Sequence, residues 1–97
     1  MTREKIEELI NQVFVEQFEL NEADLTAEKG LFDDLMLDSL DMVDLITGLQ
    51  RKFSIPLRDN PQVRQIRKLG DIYDLFEKLA AENPDVVKRI EEVQSAK

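Results

Sequence analysis

Ser39 is the residue in this sequence best placed for chemistry, because it lies where a loop gives way to a predicted helix. Asp38 followed three residues later by Asp41 is a loose form of a capping box, which predicts Asp38 as the cap of that helix. Acidic residues in the first turn also suit the helix dipole. A helix N-terminus also offers free backbone N–H groups. A phosphodiester formed on the Ser39 hydroxyl would therefore lie where an anion is stabilised.

The sequence supplies no catalyst of its own for this hydroxyl. It contains no His and no Cys, so the His base of a Ser-His hydrolase and the usual thiolate or imidazole metal ligands are missing. An acidic cluster (Asp33, Asp34, Asp38 and Asp41) lacks the loop Gly and closing Glu of an EF-hand, so we predict no metal site. We expect a non-catalytic protein whose chemistry at Ser39 comes from outside.

Length and charge narrow the class further. The 97 residues fit one small domain, and the net charge of -8, from 21 acids against 13 bases, argues against nucleic acid and anionic membranes as partners. Residues 1–57 hold 13 of the acids and 5 of the bases, an imbalance that suits steering toward basic partners. With no apolar run of membrane-spanning length and no signal-peptide pattern at the start, we expect a cytoplasmic monomer without membrane insertion.

Hydrophobic spacing predicts the first half of the fold. Apolar residues three and four apart indicate an amphipathic helix over residues 2–18, with Thr2 as its cap. Residues 19–38 lose this period but keep many Leu residues, so we expect a loop packed over the core with a short turn near Asn21 to Leu25. A second helix begins at Asp38 or Ser39 and ends near Phe53. Its expected inner residues are Leu40, Val43, Ile46 or Leu45, Leu49 and Phe53.

The second half predicts shorter elements. Gly48 within the second helix suggests a close helix contact. A short helical segment is expected over residues 62–67, followed by a helix capped by Asp71 that reaches Ala81. The tail carries the spacing of one further short helix. The predicted fold is therefore all-α: an up-and-down bundle of three main helices plus one short helix, a four-helix bundle in total, with an optional extra C-terminal helix.

The stretch from Phe32 to Leu49, centred on Asp38-Ser39-Leu40-Asp41, resembles the attachment motif of acyl carrier proteins. The resemblance spans roughly Lys5 to Leu79, with Arg67 to Phe76 similar to the start of their final helix. It implies an acyl carrier domain over residues 1–82 and a tail over residues 83–97. It also implies that a phosphopantetheinyl transferase attaches 4′-phosphopantetheine from coenzyme A to Ser39. The arm would carry acyl intermediates as thioesters for fatty acid or related lipid or polyketide synthesis.

In that family the second helix docks on basic patches of partner enzymes. The resemblance therefore implies docking roles for five residues of this helix: Asp38, Leu40, Asp41, Val43 and Asp44. The plainer interpretation of the same residues is a solvated acidic face. We also expect candidate lining residues of an acyl pocket, although core packing is the role that we favour for each: Leu49, Phe53, Ile66 and Leu69.

Some positions depart from the family pattern. Met36 stands where many carriers have glycine, so the turn before Ser39 is expected to differ in shape. The segment after Pro56 is basic, with Arg58, Arg64, Arg67 and Lys68, which favours a specialised carrier.

Two other functions stay open at this point: an aminoacyl or peptidyl carrier with the same arm, and an unmodified helical adaptor.

Overall fold

The computed structural model describes residues 2–57 and 60–85. These residues form an all-α bundle, which confirms the predicted fold class. The three α-helices are α1 (Arg3–Phe18), α2 (Ser39–Phe53) and α3 (Leu69–Glu82). The short segment between α2 and α3 is a 3₁₀ helix, Pro61–Gln65, and the loop after α1 contains another, Glu22–Asp24. Residues 86–97, where the extra C-terminal helix was expected, lie outside the described part of the chain.

Helix α1 begins and packs as its spacing predicts. The Oγ1 atom of Thr2 accepts a hydrogen bond from the backbone N–H of Lys5 at 3.2 Å, which satisfies one free N–H group of the first turn. The helix ends at Glu19, whose left-handed φ of 57° breaks the helical path. Its buried face consists of Ile6, Leu9, Ile10, Val13 and Phe14.

Helix α2 packs on α1, and its buried residues are Leu45, Leu49 and Phe53. The predicted close contact at Gly48 is present, since a Cβ placed there would lie 2.6 Å from Oε1 of Gln17. Leu40 and Val43, however, are 76% and 62% exposed, so their assignment to the inner face is wrong. At 100° per residue both lie well away from the direction in which Leu45 and Leu49 point.

Helix α3 begins two residues before the predicted cap. Lys68 is its N-cap, and Asp71 lies inside the first turn, so the assignment of Asp71 as cap is wrong. The Asp71 carboxylate nevertheless accepts hydrogen bonds from the N–H groups of Arg67 and Lys68, at 2.9 and 3.0 Å. Helix α3 starts earlier because Leu69, fully buried, belongs to its inner face.

The long loop between α1 and α2 packs over the core as expected. Its buried anchors are Leu25, Leu31, Leu35 and Leu37. Three backbone hydrogen bonds, each 2.9 Å long, join this loop to the start of α3: Leu31 N–H to Arg67 O, Leu69 N–H to Lys29 O, and Gly70 N–H to Ala27 O. The loop is thereby fixed to α3 before it reaches α2.

Candidate functional site

A compact turn delivers the chain to the start of α2. The N–H groups of Asp34 and Leu35 both donate to the carbonyl of Gly30 at 3.0 Å. The Gly30 N–H donates in return to the Asp34 carboxylate at 2.7 Å. Leu35 and Leu37 are buried on either side of Met36, whose side chain is 79% exposed. Because these two leucines are held in the core, Asp38, which follows Leu37, lies at the surface at the start of α2.

The turn keeps a glycine-like backbone although glycine is absent. Met36 has a φ of 61°, in the left-handed region that residues with a Cβ rarely adopt. The chain therefore makes the same kind of turn that a glycine would favour, and it exposes a large apolar side chain near the site.

Asp38 and Asp41 together hold the first turn of α2. The Asp38 carboxylate accepts from the Asp41 N–H at 2.8 Å, and the Asp41 carboxylate accepts from the Asp38 N–H at 3.1 Å. This reciprocal pair is the capping box that the sequence indicated in loose form. The two docking candidates are thus also structural, and they fix the backbone of Ser39 and Leu40 between them.

Ser39 is the first residue of α2 and its side chain is exposed. In the described part of the chain, the N–H groups of Ser39 and Leu40 donate no hydrogen bond, so both are free at the positive end of the helix dipole. These features fit a phosphodiester on the Ser39 hydroxyl. They also leave that hydroxyl open to an enzyme that would form the ester.

The remaining docking candidates lie on the same outward side of α2. Leu40, Val43 and Asp44 are all exposed, and Asp41 is half-buried. The structure therefore brings together every docking candidate of the sequence beside Ser39. Exposed apolar residues between acidic ones are an arrangement typical of a protein-binding surface.

A groove of about 970 Å³ begins at Ser39 and lies between α2 and the segment that leads to α3. Its α2 side repeats at helical spacing through Ser39, Met42 and Val43, Ile46 and Thr47, and Gln50. From Ser39 to Gln50 the helix rises by eleven steps of 1.5 Å, which gives a length of about 16 Å. The groove is mostly apolar and is long enough to take an extended chain tethered at its end.

Of the four pocket-lining candidates, only Ile66 lines this groove. Leu49, Phe53 and Leu69 are buried in the core. The ring centroids of Phe53 on α2 and Phe76 on α3 lie 4.4 Å apart. The role of Leu49, Phe53 and Leu69 is core packing, which is the role that the sequence favoured for each of them.

Sequence reasoning missed several residues of the groove: Phe32, Met42, Thr47, Gln50, Pro56, Leu57, Val63, Arg64 and Arg67. The α2 members follow Ser39 at spacings of three and four, so extending that helical face from Ser39 would have found them. The arginines come from a segment distant in sequence, and no local signal places them there.

Comparison with known proteins agrees with this site. A family model described as "Phosphopantetheine attachment site" matches residues 8–76, more than half of the chain. The chain belongs to the acyl carrier protein family. The acyl carrier protein of Coprothermobacter proteolyticus is 35% identical over 77 residues, covering 79% of this chain and 93% of its own length. That of Thermotoga maritima is 34% identical, covering 79% and 94%.

The alignment with a third relative covers a larger share of this chain. The meromycolate extension acyl carrier protein of Mycobacterium leprae is 29% identical over 90 residues, which is 93% of this chain and 77% of that protein. The carrier thus bears a covalent 4′-phosphopantetheine group and serves fatty acid or related synthesis. The group supplies the thiol on which acyl chains are held. Proteins of this family are modified by phosphopantetheinyl transferases and work with synthesis enzymes.

No helix within residues 2–57 and 60–85 is long and apolar enough to span a membrane. The same residues contain no group of His, Cys, Asp and Glu side chains that could hold a metal ion.

Proposed function

We propose that Ser39 is the residue that carries the 4′-phosphopantetheine arm. The observation that supports this most strongly is its exposed hydroxyl at the start of α2, beside two free backbone N–H groups and at the entrance of an apolar groove. A tethered acyl chain can leave this position for a partner enzyme or lie along the groove. The carrier domain spans residues 1–82 in this proposal, followed by the tail of residues 83–97.

The carrier acts as a substrate-bearing partner and has no catalytic activity of its own. A Ser nucleophile needs a base, and the sequence holds no His or Cys. Among the described residues, the charged groups that line the groove next to Ser39 are those of Arg64 and Arg67, and a guanidinium group offers no acceptor for the serine proton. We place it as a monomer in the cytoplasm, where coenzyme A can donate the arm.

The outer face of α2 is the docking surface for the transferase and for synthesis enzymes. Its exposed apolar residues, Leu40 and Val43, fit shallow pockets on a partner, and the nearby carboxylates fit Lys and Arg around such pockets. A surface that is acidic and apolar at once has little affinity for nucleic acid.

Intact-mass spectrometry tests the attachment. Incubation with coenzyme A and a phosphopantetheinyl transferase is expected to add the mass of one phosphopantetheine to the wild-type chain and none to Ser39→Ala. Thr47→Val is the matched control, because it removes another hydroxyl along the same groove and is expected to gain the full mass. A mass gain that survives Ser39→Ala would exclude Ser39, and no gain in the wild type would support the unmodified adaptor.

Kinetics of the same transfer test docking. Leu40→Ala and Asp44→Lys are expected to lower kcat/KM for transfer about 5- to 30-fold each, as losses of roughly 1–2 kcal/mol at a contact. Both side chains are exposed, so unfolding free energies should change little.

Glu16→Lys is the control for Asp44→Lys, since Glu16 is exposed on α1 and the change in net charge is the same. An equal effect of Glu16→Lys at low salt would mean that overall charge, and not the α2 face, governs docking.

A further inference from the structure

The groove beside Ser39 has a charge that contrasts with the rest of the carrier. The chain has a net charge of -8. Yet the residues that line the groove include Arg64 and Arg67, and the described lining contains no Asp or Glu. A groove that held only neutral acyl chains would need no cation. The local excess of positive charge therefore points to an anion.

Arg67 is positioned by the backbone around it. Its Nη1 atom donates to the carbonyl of Arg64 at 2.8 Å and to that of Ile66 at 3.0 Å. Within the described residues these are the hydrogen bonds of its guanidinium, which leaves Nε and Nη2 for another acceptor. The Arg67 carbonyl bonds to the N–H of Leu31, the neighbour of Phe32. Arg67 is thereby held against the loop that contributes Phe32 to the groove.

Arg64 lies one turn earlier, in the 3₁₀ helix Pro61–Gln65, and is exposed. Its guanidinium has no hydrogen bond or ion pair with any residue in the described ranges. Both arginines line the groove with N–H donors that the described residues leave unused, and a guanidinium fork is suited to a carboxylate or phosphate.

We infer that Arg64 and Arg67 form an anion-binding site for an anionic group that is itself tethered at Ser39. Two sources share this chemistry: the phosphodiester of the arm, and a carboxylate on the carried acyl group. The inference rests on the proposed attachment at Ser39. It makes the two arginines specificity-determining residues, which favour a charged cargo or fix the arm along the groove.

The test loads the full chain through the transferase with three donors: coenzyme A, hexanoyl-coenzyme A, and adipoyl-coenzyme A, which ends in a carboxylate. Intact mass confirms loading first, so a failure of Ser39 attachment is seen before any arginine is compared. The thermal midpoint Tm is then measured for the wild type, Arg64→Gln and Arg67→Gln. Arg51→Gln is the matched control, because Arg51 is exposed on α2 and does not line the groove.

If the cargo carboxylate is bound, the adipoyl form of the wild type and of Arg51→Gln melts about 1–5 °C above the hexanoyl form, and this gap closes in Arg64→Gln and in Arg67→Gln. If the phosphodiester is bound, loading with the bare arm raises Tm by a similar amount, and the rise is lost in Arg67→Gln or Arg64→Gln. Either result supports the site. The Nε–Hε signals of the two arginines should shift in the NMR spectrum of the same loaded form.

The inference is overturned if no loaded form shows a Tm change or an Nε–Hε shift that depends on Arg64 or Arg67. In that case the aliphatic parts of the two side chains only cover the apolar groove. Because both arginines are exposed, the unloaded variants are expected to fold, and their own Tm values show whether they do.

Discussion

Met36 combines two features at the scale of one residue: an exposed apolar side chain and a left-handed backbone. Holding a residue with a Cβ at a φ of 61° costs about 1–2 kcal/mol relative to the right-handed region. Since the Met36 side chain is 79% exposed, its burial offsets little of this unfavourable free energy. The buried neighbours Leu35 and Leu37 fix the turn and maintain the conformation.

Met36→Gly is therefore expected to raise the free energy of unfolding by about 0.5–1 kcal/mol. Glycine removes the left-handed penalty but adds chain entropy to the unfolded state. Met36→Ala keeps the penalty while removing the same side chain, and it should leave stability nearly unchanged. Urea denaturation of the three proteins checks this. Equal stabilisation by Ala and Gly would show that the exposed side chain, and not the backbone, is unfavourable.

The same residue scale explains why Ser39 is suited to modification by another protein. The carboxylates that cap α2 bond to the N–H groups of Asp38 and Asp41, and so leave the Ser39 hydroxyl and its N–H uncommitted in the described structure. A test of docking by charge reversal is cleaner at Asp44 than at Asp38 or Asp41, because removing a cap costs about 0.5–2 kcal/mol of stability.

At the scale of elements, two glycines mark close approaches of different kinds. Gly48 of α2 faces the amide group of Gln17, the mobile end of an exposed side chain. Gly70 of α3 faces the backbone carbonyl of Ala27, where an added Cβ would lie 2.9 Å from the oxygen. A side chain can turn away, whereas the loop backbone is held to α3 by three hydrogen bonds.

We expect opposite effects from the same substitution at these positions. Gly48→Ala should stabilise the carrier by about 0.5–1 kcal/mol, because alanine favours the helix and Gln17 can move aside. Gly70→Ala should destabilise it by about 1–2 kcal/mol, because the loop must shift. Denaturant unfolding of both variants measures the difference. Stabilisation by Gly70→Ala would mean that the loop gives way easily and does not position the residues before Ser39.

At the scale of the whole molecule, α1 and α3 are joined by a polar cluster at the edge of the core. Arg3 pairs with Asp74 and Glu77 of α3 at 2.8 and 3.1 Å. Its guanidinium carbon also lies 5.6 Å from the centre of the Tyr73 ring. Tyr73 is 2% exposed, and its hydroxyl donates a hydrogen bond to Oδ1 of Asn11. This arrangement couples folding to the protonation of one phenol.

Burial raises the pKa of Tyr73 from 10.0 to about 12. A raised pKa in the folded state means that the fold prefers the neutral phenol. This contribution is complete below pH 10 and is lost as the pH rises toward 12, a loss of up to about 2–3 kcal/mol.

Comparison with Tyr73→Phe isolates the contribution of this phenol from that of the other titratable groups, which both proteins share. At pH 7 the variant should be about 1 kcal/mol less stable, because it lacks the hydrogen bond to Asn11. Between pH 10 and 12 the wild type should lose stability more steeply than the variant. Parallel curves in urea titrations across this range would show that Tyr73 stays neutral or titrates equally in both states.

The sequence by itself determined the positions of the three helices, the caps at Thr2 and Asp38, and the motif around Ser39. These features depend on residues close together in the chain, where spacing and hydrogen-bonding groups act locally. The absence of His and Cys likewise led to the prediction, from composition alone, that any chemistry at Ser39 is supplied by other proteins.

Only the tertiary structure decided which side of α2 faces outward and what shares the groove with Ser39. Leu40 and Val43 have the spacing of inner residues, but the direction of burial is set by α1 and α3, which the local pattern does not contain. Arg64 and Arg67 reach the groove because backbone hydrogen bonds fix the start of α3 to the loop before α2. Such contacts join segments more than 20 residues apart, and local periodicity and motifs therefore do not predict them.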